Sequence, residues 1–130
     1  MVRRFCWVLA CVVAFILEGC ASEVTRSGIE FRPSPGAARR TIEMSSLATV
    51  MPSTGYQRSI LTGSRWALVG SVPQGDVYRP LDTVFTIEGA NTHEAYLVLR
   101  DSRIVGFYLP GEKSFAPLEP AVVIAYKTSH

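Results

Sequence analysis

Residues 66–76, WALVGSVPQGD, decide the fold class of this sequence. The first seven are mostly aromatic, aliphatic or β-branched residues, which favour β-strands. The following Pro73-Gln74-Gly75-Asp76 is a turn sequence, because proline fixes its own backbone and glycine lets the chain reverse. The stretch therefore predicts a strand over 66–72 that ends in a tight turn.

The sequence downstream repeats this organisation of short apolar runs and polar turns. The runs 95–99 and 104–109 flank a short polar segment, a pattern that predicts a β-hairpin. Further strands are predicted at 83–87 and 121–126. About five short strands within residues 60–130 predict a mainly β domain, a small antiparallel sheet that is barrel- or sandwich-like.

The region upstream, residues 20–59, has a different composition. It is polar and contains scattered prolines and glycines without clean apolar/polar alternation, which is typical of a tether. A flexible chain of about 38 residues has an r.m.s. span of roughly 35 Å. The sequence therefore predicts a flexible tether that either holds the β domain clear of a membrane surface or lies along a partner.

One part of this tether, residues 41–51, predicts a short helix. Its apolar residues recur at the spacing of one helical face: Met44, Leu47, Ala48 and Met51. Pro52 would end the helix. Because an isolated helix of this length is marginal in water, it needs a surface to bury its apolar face. That surface is the protein's own domain, a partner or the membrane, and packing on its own domain is the preferred interpretation.

The N-terminus carries the pattern of an export signal. Arg3 and Arg4 precede an uncharged apolar run over 5–17, the arrangement of the basic and apolar regions of a signal peptide. A helix of this length reaches about 20 Å at roughly 1.5 Å per residue, whereas the hydrocarbon core of a membrane is about 30 Å thick. Glu18 ends the run, because a carboxylate in hydrocarbon is costly. Residues 1–19 are therefore predicted to be a cleaved signal peptide.

The four residues Leu17-Glu18-Gly19-Cys20 resemble the lipobox of bacterial lipoproteins, in which a leucine and a small residue lead into a lipidated cysteine. Glu18 departs from the small or hydroxyl residue that is usual at its position. The resemblance implies cleavage before Cys20 and a diacylglyceryl group on its sulfur, usually with an amide-linked third chain such as palmitate. Two or more chains are enough for stable anchoring, so Cys20 is the predicted lipidation site.

The other cysteines agree with this assignment. They are Cys6 and Cys11, both inside the apolar run, and no cysteine follows Cys20. Lipidation therefore leaves the exported chain without a free thiol. A second lipobox ending at Cys11 is a poorer candidate, because the apolar region before it is too short. The remaining alternatives are an uncleaved N-terminal anchor and ordinary signal peptidase cleavage near Ala21-Ser22.

Ala21 and the charge balance indicate where the mature chain lies and what it does not bind. Enteric-type lipoproteins kept in the inner membrane commonly carry Asp after the lipidated cysteine. By this resemblance, Ala21 implies an outer-membrane location facing the periplasm. Removal of residues 1–19 lowers the net charge from +2 to +1, which gives no reason to expect a nucleic-acid partner.

The motifs of enzymes and metal sites are incomplete in this sequence. His93-Glu94 begins like the zinc-protease pattern HExxH, but Leu97 occupies the place of the second histidine. No serine stands in a G-x-S-x-G motif, and there is no glycine-rich phosphate-binding loop. We therefore predict no catalytic residue, no metal and no cofactor, in a protein that is not an enzyme. His93 is expected to cap the strand over 95–99, with Glu94 in solvent.

Candidate partner contacts lie in the loop predicted over 109–120, LPGEKSFAPLEP. Phe115 and Leu118 stand there among prolines, glycine and charges, so at least one of them is a candidate for presentation to a partner. Aromatic residues at interface centres often carry much of the binding energy. The alternative, equally favoured, is a loop that Phe115 pins to its own domain.

Together these features predict a membrane-anchored envelope lipoprotein with a structural or interaction role. Its layout resembles that of small lipoproteins in secretion or conjugation machines, which implies an envelope protein as partner. The resemblance is one of layout, so no residue role follows from it. The alternatives are a periplasmic ligand-binding or inhibitor module and, less favoured, a cell-wall-active enzyme.

Overall fold

The computed structural model describes residues 23–35 and 40–129, and within these ranges it contains thirteen β-strands and no helix. The predicted mainly β fold with a small antiparallel sheet is confirmed. No helix in the described part of the chain is long and apolar enough to cross a membrane. The strands are β1 (Ser27–Gly28), β2 (Arg32–Pro33), β3 (Thr41–Met44), β4 (Ala48–Val50), β5 (Arg58–Ile60), β6 (Arg65–Val72), β7 (Gly75–Pro80), β8 (Thr86–Glu88), β9 (Thr92–Glu94), β10 (Tyr96–Arg100), β11 (Arg103–Leu109), β12 (Ser114–Val123) and β13 (Tyr126–Ser129).

Nine of the strands form one antiparallel sheet. Its order is β1-β12-β11-β10-β7-β6-β3-β13, and β2 pairs with β6 beyond the end of β3. Over the described residues the sheet is open and not closed into a barrel, since β1 and β13 lie at its two ends and do not pair with each other. The remaining strands form two short ribbons, β4-β5 and β8-β9.

The hairpin predicted from the apolar runs 95–99 and 104–109 is present. β10 and β11 pair along their length, close to the predicted strands 95–99 and 104–109. Their turn is formed by Asp101 and Ser102, whose φ angles are 54° and 60°. Two-residue turns with positive φ at both positions match the natural twist of a hairpin. β6 and β7 are joined by the turn predicted after residue 72, although the sequence does not predict a strand over 75–80.

The central strands bury apolar side chains on both faces of the main sheet. In β10, Leu97 and Leu99 point to one face and Val98 to the other, because side chains alternate along a strand, and all three are buried. On the first face, the two short ribbons contribute buried residues to the same core cluster as the main sheet. The aromatic centre of that cluster consists of Trp66, Phe85 and Phe107, with ring centroids 5.6 Å and 6.1 Å apart.

The second face is covered by residues 29–31, which we call the N-terminal strap. β1 pairs with β12 at one end of the sheet and β2 pairs with β6 several strands away, so the strap crosses the face between them. Phe31 stacks on Tyr108 of β11, with 4.9 Å between ring centroids, and Ile29 packs against the same cluster. Gly70 leaves room for the Phe31 ring, since a Cβ at that position would collide with it.

The predicted boundary between tether and domain at residue 60 is wrong for the described residues. β1 to β4 lie inside the region 20–59, and β3 occupies an inner position of the main sheet between β6 and β13. Val24, Ile42 and Val50 from this region are buried. The sequence of this region resembles a tether because its strands are short and because the partners of β1, β2 and β3 lie far along the chain.

The predicted helix over 41–51 is also wrong, because this segment forms β3 and β4. Met44 and Ala48 are buried, whereas Leu47 is 58% exposed and Met51 is 50% exposed, so the four apolar residues do not share one face. Burial alternates along each of the two strands, which is the period-two pattern of a strand. The β-branched residues of the segment favour the same conformation.

Candidate functional site

The residues that the sequence singles out do not come together in one site. Cys20 and the signal peptide, residues 1–19, lie outside the described residues. Phe115 and Leu118 are 7% and 3% exposed, so the prediction that one of them is presented to a partner is wrong. Both belong to the ten-residue strand β12, where the sequence predicts a loop. Phe115 packs over Gly106 on the second face of the sheet, and Leu118 joins the core on the first face.

An ionisable cluster with a buried histidine at its centre is built around β9. His93, the middle residue of this strand, is 5% exposed, and its ring lies between two carboxylates. Its Nδ1 is 2.8 Å from Oε2 of Glu112, and its Nε2 is 3.1 Å from Oε1 of Glu23. These three residues, which we call the His93 cluster, connect the segment before β1, the strand β9 and the turn between β11 and β12.

The geometry determines the protonation state of His93. A neutral imidazole has one N–H donor, but each ring nitrogen faces a carboxylate oxygen, so both nitrogens must carry a proton for both contacts to be hydrogen bonds. Burial opposes the charged form, yet the hydrogen bonds to Glu23 and Glu112 outweigh it and raise the pKa of His93 above its ordinary value. Below that raised pKa, His93 is an imidazolium that donates two charge-assisted hydrogen bonds.

Glu23 is held from several directions. Asn91 Nδ2 donates to its Oε2 over 2.7 Å, and the Val24 N–H donates to its Oε1 over 2.7 Å. Together with His93, these donors lower the pKa of Glu23 to about 2, and the Asn91 hydrogen bond has the largest effect. Arg26 adds a longer contact of 3.9 Å to the same carboxylate. Glu23 is therefore a fixed carboxylate even though its side chain is 37% exposed.

Glu112 is positioned by the turn that connects β11 and β12. Its N–H donates to the Leu109 carbonyl over 3.2 Å, and its own carbonyl accepts a hydrogen bond from Ser114 Oγ over 3.0 Å. The next residue, Lys113, has a φ of 52°, the left-handed conformation that helps to reverse the chain. Proline and glycine at 110–111 favour a turn at this position. The turn brings the Glu112 carboxylate against the ring of β9.

The cluster is arranged to hold parts of the chain together. Both ring nitrogens of His93 are engaged by carboxylates, so neither is available to take a proton from a serine hydroxyl, as a catalytic base would. Within the described residues, no group of three His, Cys, Asp or Glu side chains has the arrangement of a metal site. The chemical effect of the cluster is to join Glu23, and with it the segment before β1, to strand β9 and to the turn between β11 and β12.

Sequence reasoning misses this cluster. It predicts that His93 caps the strand over 95–99 and that Glu94 lies in solvent. Glu94 is exposed as predicted, but His93 points inward, in register with Ile87 of β8. Its two carboxylate partners are 70 and 19 residues away along the chain, a separation that no local motif encodes. The available signal is the polar triplet Thr92-His93-Glu94 in a β region, where the middle side chain must face the core.

No protein-family model matches the chain, and no curated protein or solved structure matches it. Function is therefore inferred from the sequence and from the geometry of the described residues. The feature that links the two is the position of Glu23, which is both part of the His93 cluster and close to Cys20 in the sequence.

Proposed function

We propose that this chain is a bacterial lipoprotein whose β domain is held directly at a membrane surface as a structural or interaction component of an envelope assembly. The observation that carries the proposal is the fixation of Glu23, three residues after Cys20, by Asn91, Val24 and His93. It supports a role in which the position of the domain relative to its anchor matters.

The reach of the chain limits how far the domain can stand from a lipid on Cys20. Three residues span at most about 10 Å when fully extended. A flexible tether of about 38 residues would instead give roughly 35 Å. Because Glu23 is fixed and Val24 is buried, the end of the domain that carries the His93 cluster would lie next to the lipid headgroups.

The N-terminal strap supports the same role, because it continues the attachment into the main sheet. After Glu23, β1 pairs with β12, and Phe31 stacks on Tyr108 of β11. A force applied at Cys20 would therefore reach two strands of the main sheet instead of a loop. A domain coupled to its anchor in this way keeps one orientation at the membrane, which favours a fixed contact with an envelope protein.

Lipid labelling tests the anchor. Cells that express the full chain are grown with an alkyne analogue of palmitate, and the label is followed on the wild type and on two variants. Cys20→Ser should lose the label and leave the membrane fraction, whereas Cys11→Ser, the matched control in the apolar run, should keep both properties. A label that persists in Cys20→Ser and disappears in Cys11→Ser would contradict the assignment of the lipidation site.

We further propose an outer-membrane location facing the periplasm, supported by Ala21 after the lipidated cysteine. In an enteric-type host, the wild type should sediment with outer-membrane markers in a density gradient. Ala21→Asp should move the protein to the inner-membrane fractions, and Ala21→Ser should not. A wild type that sediments with the inner membrane would overturn this part of the proposal.

Crosslinking of intact cells followed by mass spectrometry tests the role in an assembly. The proposal expects one envelope protein to be recovered in a constant ratio to this chain, and expects that recovery to fall in the Cys20→Ser variant. A chain that is recovered alone at the same crosslinker dose would contradict the interaction role, and a soluble ligand in its place would favour the periplasmic binding module.

A further inference from the structure

A groove runs along the outer edge of β5, and we call it the β5 groove. One wall is formed by residues 58–61 and the other by residues 83–85, with Trp66 between them. Four consecutive residues of an extended chain alternate in direction, so they can line one groove only where the edge of the strand, and not a face, borders it. In the described part of the chain, β5 pairs only with β4, which leaves its other edge without a β-strand neighbour.

The walls of the groove are apolar and exposed at the rim. Leu61 is 62% exposed and Val84 is 65% exposed, on opposite walls. The buried rings of Trp66 and Phe85 lie between them, in contact at 5.6 Å between centroids. Two exposed aliphatic side chains therefore border the buried aromatic rings and are available to contact an apolar group.

Arg58 brings a positive charge to the lining of this groove. Its guanidinium lies 5.1 Å from the centre of the Phe85 ring. Its Nε is buried and has no hydrogen-bond partner among the described residues, although a buried donor is normally paired. Among the described residues that line the groove, Arg58 is the one that carries a charge. The groove therefore complements a ligand that presents a carboxylate or carbonyl oxygen beside an apolar group.

The size of the groove selects the kind of ligand. Its volume is about 200 Å³, whereas pockets for whole small molecules usually measure about 300–1,000 Å³. It therefore accommodates one apolar side chain of a longer molecule that continues along the rim. An unpaired strand edge beside such a cavity has the features of sites that bind an extended peptide as an added strand, where the edge gives affinity and the cavity gives specificity.

We infer that the β5 groove binds an extended segment of a partner protein, added as a strand along β5, with an apolar side chain over Trp66 and Phe85 and an acidic group at Arg58. This inference rests on the proposed interaction role and names the surface and the chemistry of the partner. It does not depend on the lipid anchor.

Site-specific photocrosslinking in native membranes tests the inference on the full, processed chain. Benzoylphenylalanine is placed at Leu61 or at Val84, one on each wall, and at Val123 as an equally exposed control on β12. The two groove positions should crosslink to the same contiguous segment of one protein. That segment should carry an apolar residue next to Asp or Glu. The control position should give at least ten-fold less of this product.

Arg58→Met keeps the apolar stem but removes the guanidinium. It should lower the crosslink yield from Val84 at least ten-fold, while Arg103→Met, a charge removal at an exposed position on β11, should leave the yield unchanged. The far-ultraviolet circular dichroism spectrum of both variants should match the wild type. If Arg58→Met does not fold, Val84→Asp provides the second variant, because a carboxylate on the rim should repel an acidic segment without altering the core.

Four outcomes would overturn the inference. They are crosslinks from the groove only to lipid, only to a second copy of this chain, only to its own residues, or to no product above the Val123 control. Retention of the palmitate label on Cys20 in these same cells separates the failure of the groove from failure of the proposed lipoprotein function. Recovery of a stoichiometric envelope partner that crosslinks elsewhere would leave the interaction role standing while rejecting this surface.

Discussion

Raising the pH above neutrality should weaken the fold through His93. The pKa of His93 in the folded chain is raised above its ordinary value of 6.5, so between the two values the native chain binds more protons than the unfolded chain. The contribution of His93 is therefore fully present below about 6.5 and is lost as the pH rises through the folded-state pKa. For one proton, the free energy of unfolding changes by at most about 1.4 kcal/mol per pH unit.

The size of the effect follows from the two hydrogen bonds that depend on the charge. A hydrogen bond to a charged group contributes about 1.5–3 kcal/mol when it is well protected from water. The carboxylates that accept the His93 protons are 37% and 34% exposed, so water screens both contacts. We therefore expect deprotonation of His93 to lower the free energy of unfolding by about 1–2 kcal/mol in total.

Urea unfolding of residues 20–130 carrying Cys20→Ser, from about pH 5 to about pH 9, measures this dependence. The wild-type sequence should lose stability above pH 6.5, and His93→Gln should flatten that part of the profile. His130→Gln is the matched control, because His130 is the one other histidine in the chain, and it should retain the loss. The NMR titration of the His93 ring should give a pKa above 6.5.

Three results would refute the doubly hydrogen-bonded imidazolium: a stability profile that stays flat above pH 6.5, a slope that survives His93→Gln, or a ring titration at or below 6.5.

At acid pH, stability depends on pH in the opposite direction, through Glu23. Since the pKa of Glu23 is lowered to about 2 from 4.5, its contribution is present above about 4.5 and is lost as the pH falls toward 2. Glu23→Gln should remove that acid-side loss.

Two substitutions test the packing on the second face of the sheet. Gly70→Ala should destabilise the fold by about 1–3 kcal/mol, because the new Cβ would meet the Phe31 ring. Gly111→Ala, where a Cβ meets nothing within 4 Å, should change little, and equal losses in the two variants would contradict the position of the strap. Phe115→Ala should lower the free energy of unfolding by about 3–5 kcal/mol, as expected for a buried phenylalanine. An unchanged urea midpoint for the Phe115→Ala variant would instead support the original prediction that Phe115 contacts a partner.

The parts of the fold that the sequence predicts are those in which the pairing partners are close in the chain. β6 pairs with β7 and β10 pairs with β11 across short turns. Each of these pairs has its own turn residues, so a local pattern predicts both turns, and at β10 and β11 the flanking apolar runs predict both strands as well. The turn at Asp101 and Ser102 is an example, since a short polar segment between two apolar runs already indicates it.

The parts that the sequence does not predict depend on distant partners. β1 pairs with β12 through Ser27 and Phe115, and β3 pairs with β13 through Thr41 and Ser129. The two residues of each pair are separated by most of the chain, so the short strands upstream resemble a tether until their partners are known. The His93 cluster follows the same rule, because its carboxylates come from distant segments.

Prolines caused the remaining error, the loop expected over 109–120. Pro117 and Pro120 lie within β12. Beyond Phe115, no described strand is hydrogen-bonded to the outer edge of β12. An edge strand tolerates residues that lack an N–H. The prolines therefore mark an open edge of the sheet, and Leu118 between them is free to fill the core.

The long-range pairing of the first strands has a consequence for how the chain folds during synthesis. β1 needs β12, β2 needs β6, and β3 needs both β6 and β13. A polypeptide that emerges N-terminus first therefore keeps β1 without a partner until β12 has emerged, and keeps one edge of β3 unpaired until the final strand, β13, has emerged. Proteins with such non-local pairing fold slowly, and their partly folded intermediates expose unpaired strand edges. Removal of the last strand would then free an edge of β3, so a short C-terminal truncation should turn an orderly folding reaction into an aggregating one.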